Sequence, residues 1–223
     1  SLEDGATLDI NNRHFTVHYD GYKIINTFNN VERSVSGDKH WDDADDQDGV
    51  RPGEVTFKLF ANGVDTGRTA KATKANHWHY EFSGLDTYDE DAAVINYTVK
   101  EVPVEKYTAD QNGYDFTNKH VPYTRTVKVT KNWKNDTAAN RPASITVRLK
   151  ADGNEVETKT VSPDSDGNWT VDFENLPVNK NGKEIKYTVT EDEVQKYNVE
   201  YSGNMDDGMV ITNTRINDPA PKV

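Results

Sequence analysis

"VTFKLFANG" at residues 55–63 returns as "ITVRLKADG" at 145–153. In the first copy Val55, Phe57 and Leu59 alternate with Thr56, Lys58 and Phe60, and in the second Ile145, Val147 and Leu149 hold the same parity. Successive side chains of a strand point to opposite sheet faces, so this period of two predicts half-buried strands rather than helices. "NG" at 62–63 and "DG" at 152–153 supply the positive-φ residues that a two-residue hairpin turn requires, and a second strand is expected after each.

Working outward from these stretches, the repetition extends in both directions and keeps its order. "GDKHWDD" (37–43) returns as "VTKNWKN" (129–135), the lysine offset being 131 − 39 = 92. Trp78 matches Trp169, "INYTVKE" (95–101) matches "IKYTVTE" (185–191), and "GYDFTN" (113–118) matches "GMVITN" (208–213). Two domains of about 90 residues are predicted, a size at which a two-sheet sandwich closes a core. We place them at 31–122 and 123–217, joined by "HVPYT" and followed by a short linker, "DPAPKV", at 218–223, where prolines favour extended chain. Residues 1–30 contain "GYKIIN" (21–26), which matches the closing segment of a repeat, and are read as the tail of a truncated preceding repeat.

Composition agrees with an all-β chain and narrows function. The formal net charge is −12, which argues against partners with phosphate backbones and against anionic membrane. No run of 18 apolar residues and no charged-then-apolar leader occurs in the sequence, so no membrane insertion is expected and any targeting signal is expected to lie outside it. The absence of cysteine removes disulfides, thiolate zinc sites and thiol nucleophiles together.

The parity rule, applied to charged residues inside the strands, gives an unexpected result at three positions. Lys39 shares a face with Val35, Gly37 and Trp41; Glu101 with Tyr97 and Val99; Asn118 with Tyr114 and Phe116. In the second repeat Lys131 falls with Val127, Val129 and Trp133, Glu191 with Tyr187 and Val189, and Asn213 with Ile211, while Lys128 falls on the opposite face. A buried charge without a partner costs several kcal/mol or changes its protonation state, so the three must answer one another. One such residue alone would be read as a strand-end side chain reaching solvent or as half of an ordinary ion pair. Three types in register in both repeats favour a built set.

These residues carry a family resemblance. "DKHW" and "TKNW", the acidic loop with "QDGVRP", "YTVKE" and "YTVTE", and the closing "FTNK" and "ITNT" resemble the B-type repeats of Gram-positive collagen adhesins, the CnaB domains, over roughly residues 31–215. The resemblance implies tandem inverse immunoglobulin-like β-sandwiches. It also implies a self-formed isopeptide bond from the first-strand lysine to the last-strand asparagine, assisted by a glutamate: Lys39 to Asn118 with Glu101, and Lys131 to Asn213 with Glu191. The second repeat departs from the first in its loop, "KNDTAANRP" standing for "DDADDQDGVRP".

The physical route is a single turnover driven by folding. Burial removes the hydration that favours the ammonium, leaving the lysine amine neutral and nucleophilic. Glu101 donates to the Asn118 carbonyl and passes a proton to the departing ammonia. Trp41 excludes water, and fixed positioning supplies effective molarities of ~10⁵–10⁸ M. The implied role is a force-bearing stalk on the cell wall of a Gram-positive bacterium, acting as a monomer. Its partners are neighbouring repeats and an adhesive head domain of the same chain, with no cofactor or metal. The alternative is that the repeats themselves bind a host or matrix protein, with Phe60 and Tyr88 as the exposed aromatics to inspect.

Other patterns carry less. "DDADDQDG" (42–49) resembles a calcium loop, but with Gly49 sixth, Ala44 falls first and Val55 twelfth, where a glutamate is required. His77 and His79 are read as sharing a strand face, a solvated pair without a third ligand. No nucleophile elbow or phosphate-binding glycine loop is present, which argues against turnover catalysis.

Overall fold

The computed structural model describes residues 2–11 and 13–216, so the 218–223 linker lies outside the described residues. The chain divides into two compact units: Ser1–Asp45 with Arg51–His120, and residues 46–50 with the chain from Val121 on. Each holds the same sandwich.

In the first unit the strands are β1 (Thr7–Ile10), β2 (Arg13–Asp20), β3 (Lys23–Asn29), β4 (Glu32–Asp42), β5 (Glu54–Ala61), β6 (Val64–Thr73), β7 (His79–Asp86), β8 (Tyr97–Glu101), β9 (Thr108–Asn112) and β10 (Asp115–Lys119). One sheet has the order β7-β4-β10-β9 and the facing sheet β6-β5-β8. The first and last strands of the repeat, β4 and β10, are parallel neighbours, with Phe116 opposite Lys39 and Asn118 opposite Trp41.

The second unit repeats this plan with β11 (Thr124–Lys134), β12 (Ile145–Ala151), β13 (Asn154–Val161), β14 (Trp169–Pro177), the two-residue β15 (Asn179–Lys180) and β16 (Lys183–Glu184), β17 (Tyr187–Glu191), β18 (Tyr197–Asn204) and β19 (Gly208–Arg215). Its sheets are β14-β11-β19-β18 and β13-β12-β17, and β11 runs parallel to β19, placing Ile211 opposite Lys131 and Asn213 opposite Trp133.

The predicted alternation is realised. Phe57, Leu59, Val147 and Leu149 are fully buried, each contributing about 1.5–3 kcal/mol by leaving water, and Lys128 faces outward. Asn62–Gly63 and Asp152–Gly153 form the expected turns, all four residues at positive φ. The cores are built differently at one cross-strand pair. Gly37 faces Tyr80 in the first repeat, where Val129 faces Val171 in the second. A Cβ on Gly37 would stand 2.0 Å from the Tyr114 carbonyl oxygen and 2.9 Å from the Tyr80 hydroxyl, so the large ring is accommodated only by the missing side chain.

Residues 7–29 form an antiparallel sheet, β1-β2-β3. The β2–β3 hairpin turns through Gly21–Tyr22, as β9–β10 turns through Gly113–Tyr114, and Asn26 pairs with Val17 where Asn118 pairs with Ala109. Phe28 meets Tyr88 edge-on at 5.5 Å, and the Asn30 side chain bonds the Thr87 and Tyr88 backbone. Tyr88 is therefore half-buried rather than a bare surface aromatic, and Phe60 lies under the Lys100 ammonium at 4.7 Å. His77 does not share a strand face with His79; it sits at positive φ in the turn closing a short 3-10 segment, Lys74–Asn76, before β7 begins.

Candidate functional site in each repeat

Lys39 comes from the middle of β4, Asn118 from the adjacent β10, and Glu101 from the end of β8 in the facing sheet, where it is opposite Phe57. Alternation alone turns all three inward, and the sandwich brings them together. Lys39 Nζ lies 3.5 Å from Glu101 Oε2, the side chains 0% and 3% exposed. It also donates to the His40 carbonyl at 3.0 Å. Asn118 Nδ2 donates to Glu101 Oε1 at 2.7 Å. The Glu101 carboxyl thus lies directly against the Asn118 side-chain amide. Asn118 Oδ1 is buried without a hydrogen-bond partner among the described residues.

The second repeat buries the same three residue types, with the lysine–glutamate pair formed. Lys131 Nζ lies 3.1 Å from Glu191 Oε1, both side chains 1% exposed, and Asn213 on β19 is buried with its Oδ1 again unpartnered. A buried carbonyl oxygen without a donor costs about 1–3 kcal/mol, and here it recurs at the same place twice. Burial lowers the Lys39 amine to about 8 from 10.5, outweighing the opposing pull of Glu101. It lowers Lys131 for the same reason, against Glu191. Both lysines therefore lose their proton far more readily than a solvated amine, which is what nucleophilic attack on an amide requires.

A second set, not found from sequence, surrounds each lysine. Asp43, in the loop after β4, receives Arg51 through Nε at 3.0 Å and Nη2 at 2.6 Å and the Tyr107 hydroxyl at 2.9 Å. Asp136 receives Arg141 at 2.9 and 3.0 Å and the Tyr197 hydroxyl at 3.1 Å. The shortened loop of the second repeat has thus kept its acid–arginine pair. The signal was present as "RP" at 51–52 and 141–142 and "KY" at 106–107 and 196–197, recurring at one common offset.

Each repeat is thus a β-sandwich whose first and last strands lie side by side over a buried lysine, glutamate and asparagine. The model of the Cna protein B-type domain matches residues 35–119 and 127–214, and the chain belongs to that family. It is 36% identical over 197 residues to a collagen adhesin of Staphylococcus aureus, a match covering 85% of this chain and 16% of that protein. A crystal structure of two B repeat units of the collagen-binding protein of Staphylococcus aureus superposes with a TM-score of 0.70 at 33% identity, over 92% of this chain and 56% of that one. A single B repeat unit of the same protein is 37% identical, covering 84% of this chain and all of that one, with a TM-score of 0.39. The family is one of adhesin repeats rather than enzymes.

Proposed function

We propose that each repeat closes a covalent bond between its first and last strands, Lys39 to Asn118 and Lys131 to Asn213, and that the tandem serves as a force-bearing stalk of a cell-surface adhesin. The observation that carries this reading is the buried lysine–glutamate–asparagine set, assembled twice from the same three strand positions. In the reaction the neutral lysine Nζ attacks the asparagine Cγ. The Nζ–Cγ bond forms, the Cγ–Nδ2 bond breaks, and the proton released from Nζ passes through Glu101 or Glu191 to Nδ2, which leaves as ammonia. Atoms balance without an external reagent, and the reaction occurs once per repeat on folding.

The 16% share of the curated relative's length fits a segment between other modules of a longer surface protein, cell wall-anchored and carrying an adhesive head domain. Residues 1–30 fit the closing hairpin of a preceding repeat, Asn26 standing where Asn118 stands relative to its hairpin turn. The test is the intact mass of the purified chain beside Glu101→Ala and Glu191→Ala. Two ammonia molecules should be missing from the parent chain and one from each variant. A parent chain at its full calculated mass would remove the crosslinks and move a ligand-binding role for the repeats ahead of the stalk.

A further inference from the structure

The acid–arginine–tyrosine set beside each triad has a geometry beyond that of an ordinary loop brace. The Trp41 ring holds Lys39 Nζ 4.5 Å and the Arg51 guanidinium 5.3 Å from its centroid. Trp133 holds Lys131 Nζ at 4.4 Å and Arg141 at 5.6 Å. Tyr107 meets Trp41 edge-on at 5.0 Å and 71°, and Tyr197 meets Trp133 at 5.1 Å and 71°. The carboxylates of Asp43 and Asp136 are each 1% exposed, while their arginines, 21% and 25% exposed, lie toward solvent. Acid and arginine are eight residues apart in one loop and five in the other, yet the contacts coincide. Two unlike loops arriving at one arrangement point to a shared task.

We propose that Asp43, Arg51 and Tyr107, and likewise Asp136, Arg141 and Tyr197, are positioning residues for crosslinking that fix the tryptophan over the lysine amine and balance the charge around it. This inference rests on the crosslinking reading above. The Asp43 carboxylate favours the ammonium form of Lys39, as Asp136 favours that of Lys131, and so opposes attack on Cγ. Arg51 opposes that field at Lys39, and the tyrosine hydroxyl occupies one of the remaining acceptor sites. The acid can then anchor the arginine and the tyrosine beside the tryptophan without keeping the lysine protonated. The charged groups acting on Lys39 are Glu101 from β8 and Asp43 and Arg51 from the loop after β4; Tyr107, from the turn before β9, packs on the Trp41 ring, and Tyr80 from β7 lies within the field of Glu101. His120 stands behind Tyr107, with ring centroids 5.5 Å apart. Glu191 and Asp136 act on Lys131, Arg141 and Tyr197 pack on the Trp133 ring, and Arg215 from β19 stands over Tyr197.

The two halves of the pair act on the lysine with opposite sign, which gives the test. The full chain is taken from inclusion bodies directly into guanidinium chloride, before it has folded, its full mass verified, refolded by dilution into buffers from about pH 6 to about pH 10, and quenched in acid at intervals. Ammonia loss is assigned to each repeat by protease mapping of the crosslinked peptides. Arg51→Gln removes the cation beside the Asp43 carboxylate and moves the pH midpoint of repeat-one crosslinking upward by on the order of one unit. Asp43→Asn removes the anion beside the Arg51 guanidinium and moves it downward by a similar amount. The double variant returns close to the parent midpoint, and the second repeat, read in the same chains, does not move. Arg51→Lys, which keeps the charge but loses the two-pronged contact, slows the reaction several-fold at an unchanged midpoint and serves where the neutral variants do not fold. Shifts of one sign in both single variants, no shift in either, or a displaced midpoint in Arg51→Lys would overturn the proposal. A parent chain that loses no ammonia would instead overturn the crosslinking reading itself.

Discussion

Replacing Asn118 by alanine separates the covalent bond from the rest of the buried set. The substitution removes the amide that would be joined to Lys39, together with one hydrogen bond of 2.7 Å to Glu101, and leaves the Lys39–Glu101 pair at 3.5 Å in place. No orphan charge is created. The lost hydrogen bond is worth about 1 kcal/mol. A crosslink from Lys39 to Asn118 closes a loop of roughly 80 residues, whose chain entropy is worth about 4.5 kcal/mol by the relation used for disulfides. The sum, about 5–6 kcal/mol, corresponds to a fall in the unfolding midpoint of on the order of 20–40 °C for a domain of this size. Scanning calorimetry of the parent and Asn118→Ala chains, each with its mass verified, reads this directly, the transition of the second repeat serving as the internal standard. A fall of only about 10 °C, the cost of an ordinary buried asparagine, would refute the reasoning, because the bond would then contribute nothing beyond its hydrogen bonds.

The same variant carries a pH signature. Lys39 titrates at about 8 in the folded chain, chiefly through burial, against 10.5 when unfolded, so the unfolded chain binds more protons between those values. The stability of the first repeat in Asn118→Ala should therefore rise by about 3 kcal/mol from pH 8 to pH 10.5, relative to a Lys39→Met/Asn118→Ala control. The crosslinked parent, whose amide nitrogen does not titrate, should lack that rise. Urea titrations across the window check both. In the core, Gly37→Val should destabilise the first repeat by about 1–3 kcal/mol or prevent its folding, since a Cβ there meets the Tyr114 carbonyl oxygen at 2.0 Å. Adding Tyr80→Val, which reproduces the second repeat's Val129–Val171 pair, should recover part of that loss, and a double-mutant cycle with no coupling would contradict it.

Much of the site was legible because a strand has a period of two without remainder. Once 55–59 and 145–149 were read as strands, parity alone turned Lys39, Glu101 and Asn118 inward, and the structure buries all three side chains. Parity does not specify which strands are neighbours. That the first and last are parallel, with Lys39 opposite Phe116 and Asn118 two residues further on, follows from the tertiary arrangement of both sheets. The Asp43–Arg51 and Asp136–Arg141 pairs escaped because they sit in loops of unequal length, where a fixed offset fails for the acid although it holds for the arginine and the tyrosine. His77 was misplaced for a related reason: the short Lys74–Asn76 turn, capped by Thr73, interrupts the alternation just before β7.

Gly37 and Tyr80 also bear on how a chain of similarly folded repeats avoids folding into the wrong partner. Tandem domains of similar sequence are prone to exchanging strands with their neighbours during folding. Had β11 entered the first sandwich in place of β4, Val129 would occupy the position of Gly37, where even a Cβ is excluded by the Tyr114 backbone and the Tyr80 hydroxyl. In the reverse exchange, glycine would face Val171 and leave a void where two valines should meet. The unequal distribution of volume across one cross-strand pair thus penalises both mispairings, so each repeat admits its own first strand before any lysine meets an asparagine.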